Sequence, residues 1–249
     1  MKPALCPFLY FDPCFTSNQR GRKGRGPHGM FQGADAVNKG TVVFDLDGTL
    51  ADTAADLLAA ANACLPRAVL GPADALTAFL GGRAMLRLGY QRLGVAADLD
   101  RDYGRFLAVY AEAICVHSRL YPGVVAAVEV LRGQGYRTAI CTNKPEGLAV
   151  ELVRQLGIAD LFGALVGADT LPVRKPDPAP YWLAVERAGG GPSMLVGDTE
   201  TDRRTGLAAG VPVALVTFGP EGQGVARLEP EALLDHYDDL PGLVGRLLG

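Results

Sequence analysis

The sequence predicts an α/β protein with a parallel sheet, helices on both of its faces, and an inserted all-helical domain. Short apolar runs alternate with helical segments over most of the chain, and parallel strands need such crossover connections. A long alanine- and leucine-rich stretch interrupts this alternation directly after the first apolar run. With 249 residues, 49% of them hydrophobic, the chain is long and apolar enough to bury such a core.

Five apolar runs read as buried strands. They lie at 41–46, 136–142, near 164–167, at 193–197 and at 212–217. Helical spacing covers the segments between them and the chain's end. These helices are predicted at about 123–133, 146–156, 178–188 and 200–209, with a last one within 230–248.

Residues 54–118 have helical spacing and contain no good strand pattern. Proline and glycine breaks divide them into four or five helices. We expect this stretch to fold as a separate helical cap, with 41–53 and 119–249 forming the core.

The first forty residues differ from the rest in composition. Residues 1–40 hold six basic and two acidic residues, and 18–29 lack apolar periodicity. We expect 1–40 to be a disordered extension, with 1–29 derived from a start codon upstream of Met30. A transit peptide or a nucleic-acid-binding tail are the alternatives.

Composition excludes several classes of protein. The net charge of −3 gives no overall basic field for nucleic acid. No charge-free apolar run approaches the ~18 residues that a membrane span needs. Five scattered cysteines argue against a disulfide framework and favour the cytoplasm. We expect a monomer or homodimer.

Chemically active side chains follow the predicted strands, where ligands bind in a parallel sheet. They are Asp45 and Asp47 after the first strand, Thr142 and Asn143 after the second, Asp198 and Asp202 after the strand at 193–197, and Lys175 in a loop before a helix. Four clustered carboxylates repel one another unless a cation lies among them, and Mg²⁺ suits an all-oxygen set. A dianionic phosphate monoester fits such a site, with Lys175 and Thr142 binding its oxygens.

The spacing of Asp45 and Asp47 places both side chains on one side of a strand. One can attack phosphorus while the other protonates the leaving oxygen and later deprotonates water. Gly48 permits the tight turn. Each residue also has a structural interpretation: Thr142 and Asp198 can cap helices, Asp202 can be a first-turn carboxylate, and Arg174 can replace Lys175 as the working cation.

Four motifs carry a family resemblance. Asp45-Leu-Asp-Gly-Thr-Leu-Ala-Asp-Thr resembles the first motif of the haloacid dehalogenase-like superfamily. Thr142-Asn143, Lys175-Pro-Asp-Pro and Gly197-Asp198 with Asp202 resemble its second, third and fourth, in family order. The helical insertion is similar to that of the phosphoglycolate phosphatase-like subfamily.

The resemblance implies a Rossmann-like core in which Asp45 is the nucleophile and Asp47 the general acid and base. Thr142, Asn143 and Lys175 would bind phosphate. Mg²⁺ would be held by Asp45, the Asp47 carbonyl and Asp198, with Gly48 and Asp202 in support.

The sequence thus predicts a magnesium-dependent phosphatase acting on a small phosphorylated metabolite, 2-phosphoglycolate in the first place. We expect Arg83, which follows a glycine pair in the cap, to bind the substrate carboxylate. A β-phosphoglucomutase-like phosphotransferase, another sugar or nucleotide phosphatase, a dehalogenase and a non-enzymatic phospho-acceptor resembling a receiver domain remain alternatives.

Overall fold

A six-stranded parallel sheet forms the centre of the protein, whose computed structural model describes residues 38–249. Residues 38–249 form eight strands, six of which belong to this sheet. They are β1 Gly40–Phe44, β2 Ala51–Asp52, β3 Arg119–Leu120, β4 Tyr136–Cys141, β5 Ala164–Val166, β6 Ser193–Gly197, β7 Val213–Val216 and β8 Ala232–Leu234. The order across the sheet is β5-β4-β1-β6-β7-β8, and all neighbours run parallel. The remaining two strands, β2 and β3, pair antiparallel with each other.

Helices cover both faces of this sheet. The helices that do so are α5 Val124–Gly133, α6 Glu146–Gln155, α7 Ala179–Ala188, α8 Glu200–Ala209 and α9 Leu240–Leu248. Four further helices lie between β2 and β3: α1 Ala54–Cys64, α2 Ala75–Phe79, α3 Gly82–Leu93 and α4 Leu99–Glu112. Side chains of α5, α6 and α9 share a buried cluster with one face, and α7 packs against the other. The predicted fold class is confirmed.

The central strand β1 contains no charged residue and shows no polar alternation, and its burial explains why. All five of its residues are buried. Alternate side chains of a strand point to opposite faces, so Val42 and Phe44 join one cluster and Val43 joins the other. A strand covered on both faces cannot show the polar alternation of a surface strand.

The segment 54–118, which we call the helical block, contains α1 to α4. The pair β2–β3 brings its entry and exit side by side. The Asp56 carboxylate strengthens this junction by accepting the N–H groups of His117 at 3.0 Å and Ser118 at 2.8 Å. The described residues all lie in one compact unit, and a cap that is separate from the core stays a prediction.

The structure corrects the predicted start of the core. Residues 38–40 do not belong to an extension, because the Asn38 amide donates to the Gly189 carbonyl at 3.0 Å and β1 begins at Gly40. The rest of the predicted extension lies outside the described residues. The first strand ends at Phe44 rather than Leu46, since the Leu46 N–H donates to the Asp45 side chain.

The predicted last helix within 230–248 is confirmed as α9, whereas the strand that precedes it was not predicted. Within 230–248 the chain first adds β8 to the sheet beside β7, and α9 begins only at Leu240. Three residues are too few to show a strand period. Among the helices of residues 38–249, none combines the length and the apolar character that crossing a membrane requires.

Candidate active site

The first strand delivers two aspartates to the carboxyl edge of the sheet. Asp45 follows β1 directly, and its N–H donates to the Val196 carbonyl of β6 at 2.9 Å. Gly48 then turns the chain with a φ of +80°, and its N–H donates to the Ala51 carbonyl at 2.9 Å. The turn keeps Asp47 at the same edge.

One oxygen of the Asp45 carboxylate is held and the other is free. Oδ1 accepts the Leu46 N–H at 2.7 Å and lies 3.1 Å from Lys175 Nζ. Oδ2 accepts no hydrogen bond from residues 38–249. Burial raises the pKa of Asp45 to about 6 against the opposing effect of the Lys175 ammonium. The Asp202 and Asp47 carboxylates add to that rise.

Lys175 is a buried cation between two carboxylates. Its Nζ lies 2.7 Å from Asp202 Oδ1 and 3.1 Å from Asp45 Oδ1. Burial alone would lower the pKa of Lys175, but Asp202 and Asp45 outweigh it and hold the pKa above its usual value. The Asn143 amide donates to the Lys175 carbonyl at 3.0 Å and fixes the lysine loop to the loop after β4.

Asp198, which follows β6, is fully buried and only half satisfied. Its Oδ1 accepts the Thr49 hydroxyl at 2.9 Å. Its Oδ2 has no hydrogen-bond partner in the described part of the chain. Burial raises the pKa of Asp198 well above its usual value, and the Asp202 and Asp45 carboxylates raise it further.

Asp202 is equally buried, but both of its oxygens are satisfied. Oδ1 accepts the Lys175 ammonium. Oδ2 accepts the Asp198 N–H at 3.2 Å, the Thr199 N–H at 3.1 Å and the Thr199 hydroxyl at 2.8 Å. The contact from the Thr199 N–H belongs to a capping box at the start of α8, in which the Thr199 side chain in turn accepts the Asp202 N–H. Asp202 therefore positions Lys175 and the loop that carries Asp198.

The residues present fit a hard cation. One oxygen each from Asp45, Asp198 and Asp202 lies within 4.8 Å of the others. The unpaired Oδ2 of Asp198 is costly to bury unless a cation or a proton neutralises it. A Cβ on Gly48 would lie 2.2 Å from this atom, so only glycine leaves the space beside it open. The arrangement can hold a metal ion.

Asp47 has a partner that sequence reasoning missed. Lys144 Nζ donates to Asp47 Oδ1 at 2.7 Å and Oδ2 at 2.9 Å, and the Thr53 hydroxyl donates to Oδ1 at 2.7 Å. The Lys144 side chain is only 3% exposed. Its place two residues after Thr142, at the end of β4, was a usable signal. A loop lysine is ordinarily solvated, so the sequence alone does not indicate that this one is buried.

The helical block covers Lys144. The aromatic ring of Tyr110, on α4, has its centroid 4.7 Å from Lys144 Nζ. Tyr110 is fully buried, and its hydroxyl has no hydrogen-bond partner among residues 38–249. The block therefore contributes to the surroundings of Asp47 through an aromatic ring and a free hydroxyl.

The structure groups Asp45, Asp198 and Asp202 around Lys175, and it leaves Arg83 apart from them. Thr142 lies buried after β4, where its hydroxyl accepts the Lys144 N–H at 3.3 Å. Arg83 instead pairs with Asp100 at 2.8 Å on an exposed face of the helical block and lies 4.6 Å from the centre of the Tyr103 ring. Its contact with substrate stays a prediction.

This geometry agrees with the comparisons to known proteins. The sequence model of the haloacid dehalogenase-like hydrolases matches residues 39–210. This chain therefore belongs to the haloacid dehalogenase-like hydrolase family, which confirms the resemblance of the four motifs.

Within this family, the chain is similar to several proteins named phosphoglycolate phosphatase. The chain is 40% identical over 213 residues to the phosphoglycolate phosphatase of Mesorhizobium japonicum, covering 82% of this chain and 94% of that protein. It is 39% identical over 216 residues to that of Cereibacter sphaeroides, covering 83% and 98%. The crystal structure of a predicted phosphoglycolate phosphatase from Haemophilus somnus superposes with a TM-score of 0.70 at 28% identity, covering 84% of this chain and 99% of that one.

Proposed function

We propose that this protein is a magnesium-dependent phosphatase that hydrolyses 2-phosphoglycolate through an aspartyl-phosphate on Asp45. The supporting observation is that one carboxylate oxygen each from Asp45, Asp198 and Asp202 lies within 4.8 Å of the others, and that Asp198 Oδ2 has no hydrogen-bond partner among residues 38–249. The names of the relatives support the substrate.

Asp45 is the nucleophile in this proposal. Its Oδ1 is fixed by Leu46 and Lys175, which aims Oδ2 without occupying it. Attack by Oδ2 forms a bond to phosphorus, and the bond from phosphorus to the ester oxygen breaks. The carboxylate returns when water attacks the same phosphorus and releases inorganic phosphate.

Asp47 moves the proton in both halves of the reaction. It donates a proton to the leaving oxygen, so that glycolate leaves as the alcohol. It then takes a proton from the attacking water. The Thr53 hydroxyl and Lys144 hold its carboxylate in place by three hydrogen bonds.

The remaining residues bind the metal ion and the phosphoryl group, or support those that do. We infer that Mg²⁺ is held by Asp45, the Asp47 carbonyl and Asp198, where it would offset the negative charge of the phosphoryl group. Asp202 supports this set through Lys175. Thr142, Asn143 and Lys175 hold the phosphoryl oxygens, and Gly48 leaves room beside Asp198. The helical block acts as a cap that excludes water.

A panel of phosphate monoesters assayed with Mg²⁺ tests the proposal. We expect 2-phosphoglycolate to have the highest kcat/KM, and activity to vanish with EDTA and in Asp45→Asn. Asp160→Asn, the same change at an exposed aspartate on a short helix away from the cluster, should keep full activity.

Three outcomes would count against it. Activity that persists in EDTA or in Asp45→Asn contradicts the mechanism. Turnover that requires a bisphosphate activator would favour a mutase.

The expected cytoplasmic location and the monomeric or homodimeric state stay predictions.

A further inference from the structure

Lys144 is a buried ammonium beside the proposed general acid, and the proposed reaction gives it no direct contact with substrate. We propose that Lys144 binds the carboxylate of the leaving group and so selects small phosphorylated acids. The inference rests on the proposed function, because it identifies the group that recognises the glycolate half of the substrate.

The role of Asp47 as general acid indicates which part of the substrate lies near Lys144. A general acid must reach the leaving oxygen at hydrogen-bond distance, about 2.6–3.2 Å. Lys144 Nζ lies 2.7 Å and 2.9 Å from the two Asp47 oxygens. The ammonium therefore lies on the leaving-group side of the site. In 2-phosphoglycolate a single methylene separates the leaving oxygen from the carboxylate, which puts that carboxylate next to the ammonium.

Lys144 has the capacity for a second anion. An ammonium group has three N–H donors, and both hydrogen bonds of Lys144 Nζ within residues 38–249 go to Asp47. Its side chain is 3% exposed, so water competes little for the remaining donor. A charge-assisted hydrogen bond in such surroundings is stronger than one at the surface.

Tyr110 supplies a complementary donor from the helical block. Its ring lies 4.7 Å from Lys144 Nζ, and its buried hydroxyl has no partner in the described range. Burial, together with the Asp47 and Asp56 carboxylates, raises the pKa of Tyr110, so the hydroxyl stays a neutral donor. A carboxylate has two acceptor oxygens, which suits one ammonium and one hydroxyl donor.

Arg83 is less suited to the same role. Its guanidinium already pairs with Asp100 at 2.8 Å, and its side chain is 48% exposed. Lys144 lies against a residue of the reaction itself, whereas the contacts of Arg83 lie within the helical block. The two residues are therefore competing candidates that one experiment separates.

The test compares two substrates of similar size whose leaving groups differ in charge. We would measure kcat/KM for 2-phosphoglycolate and for 2-hydroxyethyl phosphate, in which a neutral CH₂OH replaces the carboxylate. The variants are Lys144→Met, Lys144→Gln, Arg83→Ala and Lys39→Met. Lys39 is an exposed lysine just before β1, at the other end of that strand from Asp45, and gives a matched control.

We expect the wild type to prefer 2-phosphoglycolate, and Lys144→Met to reduce that preference by about 10- to 100-fold. Activity on the neutral substrate should fall less. Lys144→Gln should show the same loss of preference, and it answers the question if Lys144→Met fails to fold. Lys39→Met should keep the wild-type ratio.

Each other result overturns the inference in a recognisable way. Equal losses on both substrates would mean that Lys144 only holds Asp47. A preference lost in Arg83→Ala but kept in the Lys144 variants would transfer the role to Arg83. A wild type without any preference for the acid would remove the proposed substrate and the role of Lys144 together.

Discussion

Thr49 and Asp198 are joined by a hydrogen bond in the interior of the protein, with the hydroxyl 2.9 Å from Oδ1 and both side chains fully buried. The Thr49 backbone is held as well, because the Tyr237 hydroxyl donates to its carbonyl at 2.9 Å. This contact orients the Asp198 carboxylate and leaves Oδ2 as the oxygen available to a cation.

Replacing Thr49 by valine should therefore weaken metal binding. Thr49→Val keeps the shape of the side chain but removes the donor, so the Asp198 carboxylate loses its orientation. Loss of such a supporting contact typically lowers metal affinity about 10- to 100-fold. We expect the Mg²⁺ concentration at half-maximal activity to rise by that factor, while Thr49→Ser stays close to wild type. An unchanged Mg²⁺ requirement in Thr49→Val would contradict this role.

The metal-free protein should be less stable at neutral pH than in weak acid. The pKa of Asp45 is raised from 3.8 to about 6 on folding, so the folded state holds this proton more tightly. The free energy of unfolding then falls as pH rises from about 4 through about 6, on the order of 3 kcal/mol for this group. The raised pKa of Asp198 extends the fall to higher pH.

Urea unfolding in EDTA across this pH range measures the effect. Carboxyls with a lowered pKa, such as Asp74 beside Arg92, change their contribution in more acidic solution, so they do not oppose a fall between about pH 5 and pH 7. Saturating Mg²⁺ should remove the decline, because the ion replaces the proton as the neutralising charge. Stability that stays level or rises between about pH 5 and pH 7 without metal would contradict the raised pKa values of these carboxyls.

Asp47→Asn should separate the two halves of the reaction. An asparagine cannot transfer the proton, so kcat for an alkyl phosphate should fall about 10²- to 10⁴-fold. An aryl phosphate, whose leaving group needs no proton, should still phosphorylate Asp45. The phospho-enzyme should then accumulate, because no base activates water, and intact mass spectrometry would detect one added phosphoryl group. Equal slowing of both substrates without accumulation would reject the assigned role.

The contrast between Asp45 and Lys144 shows what the sequence could reveal. Asp45, Asp47 and Asp198 follow recognisable strands, and strand ends meet at one edge whatever the loops do. Their grouping was therefore predictable from local pattern. The role of Lys144 depends on how α4 lies over the loop after β4, and no local pattern encodes that contact between distant segments.

The same reasoning explains the other differences. The strand β8 is only three residues long and is defined by its pairing with β7, so periodicity could not reveal it. Arg83 follows a glycine pair, yet its guanidinium forms an ion pair with Asp100 on a neighbouring helix. In each case the deciding contact is tertiary.

Lys175→Met should destabilise the fold as well as abolish activity. The lysine is 2% exposed and lies between Asp45 and Asp202, so its loss leaves a half-buried and a fully buried carboxylate without a cation. Breaking a buried charge pair in this way costs about 3 to 5 kcal/mol. Urea unfolding in EDTA should show that loss, while Lys39→Met, at an exposed position, should change stability by less than about 0.5 kcal/mol.

A double variant decides whether the loss comes from this pair. Adding Asp202→Asn removes one of the two carboxylates that have lost their cation. It should therefore lower the free energy of unfolding less in the Lys175→Met protein than in the wild type. If the two substitutions were simply additive in the free energy of unfolding, the ammonium would not be compensating Asp202. The 2.7 Å contact between Lys175 Nζ and Asp202 Oδ1 predicts strong coupling instead.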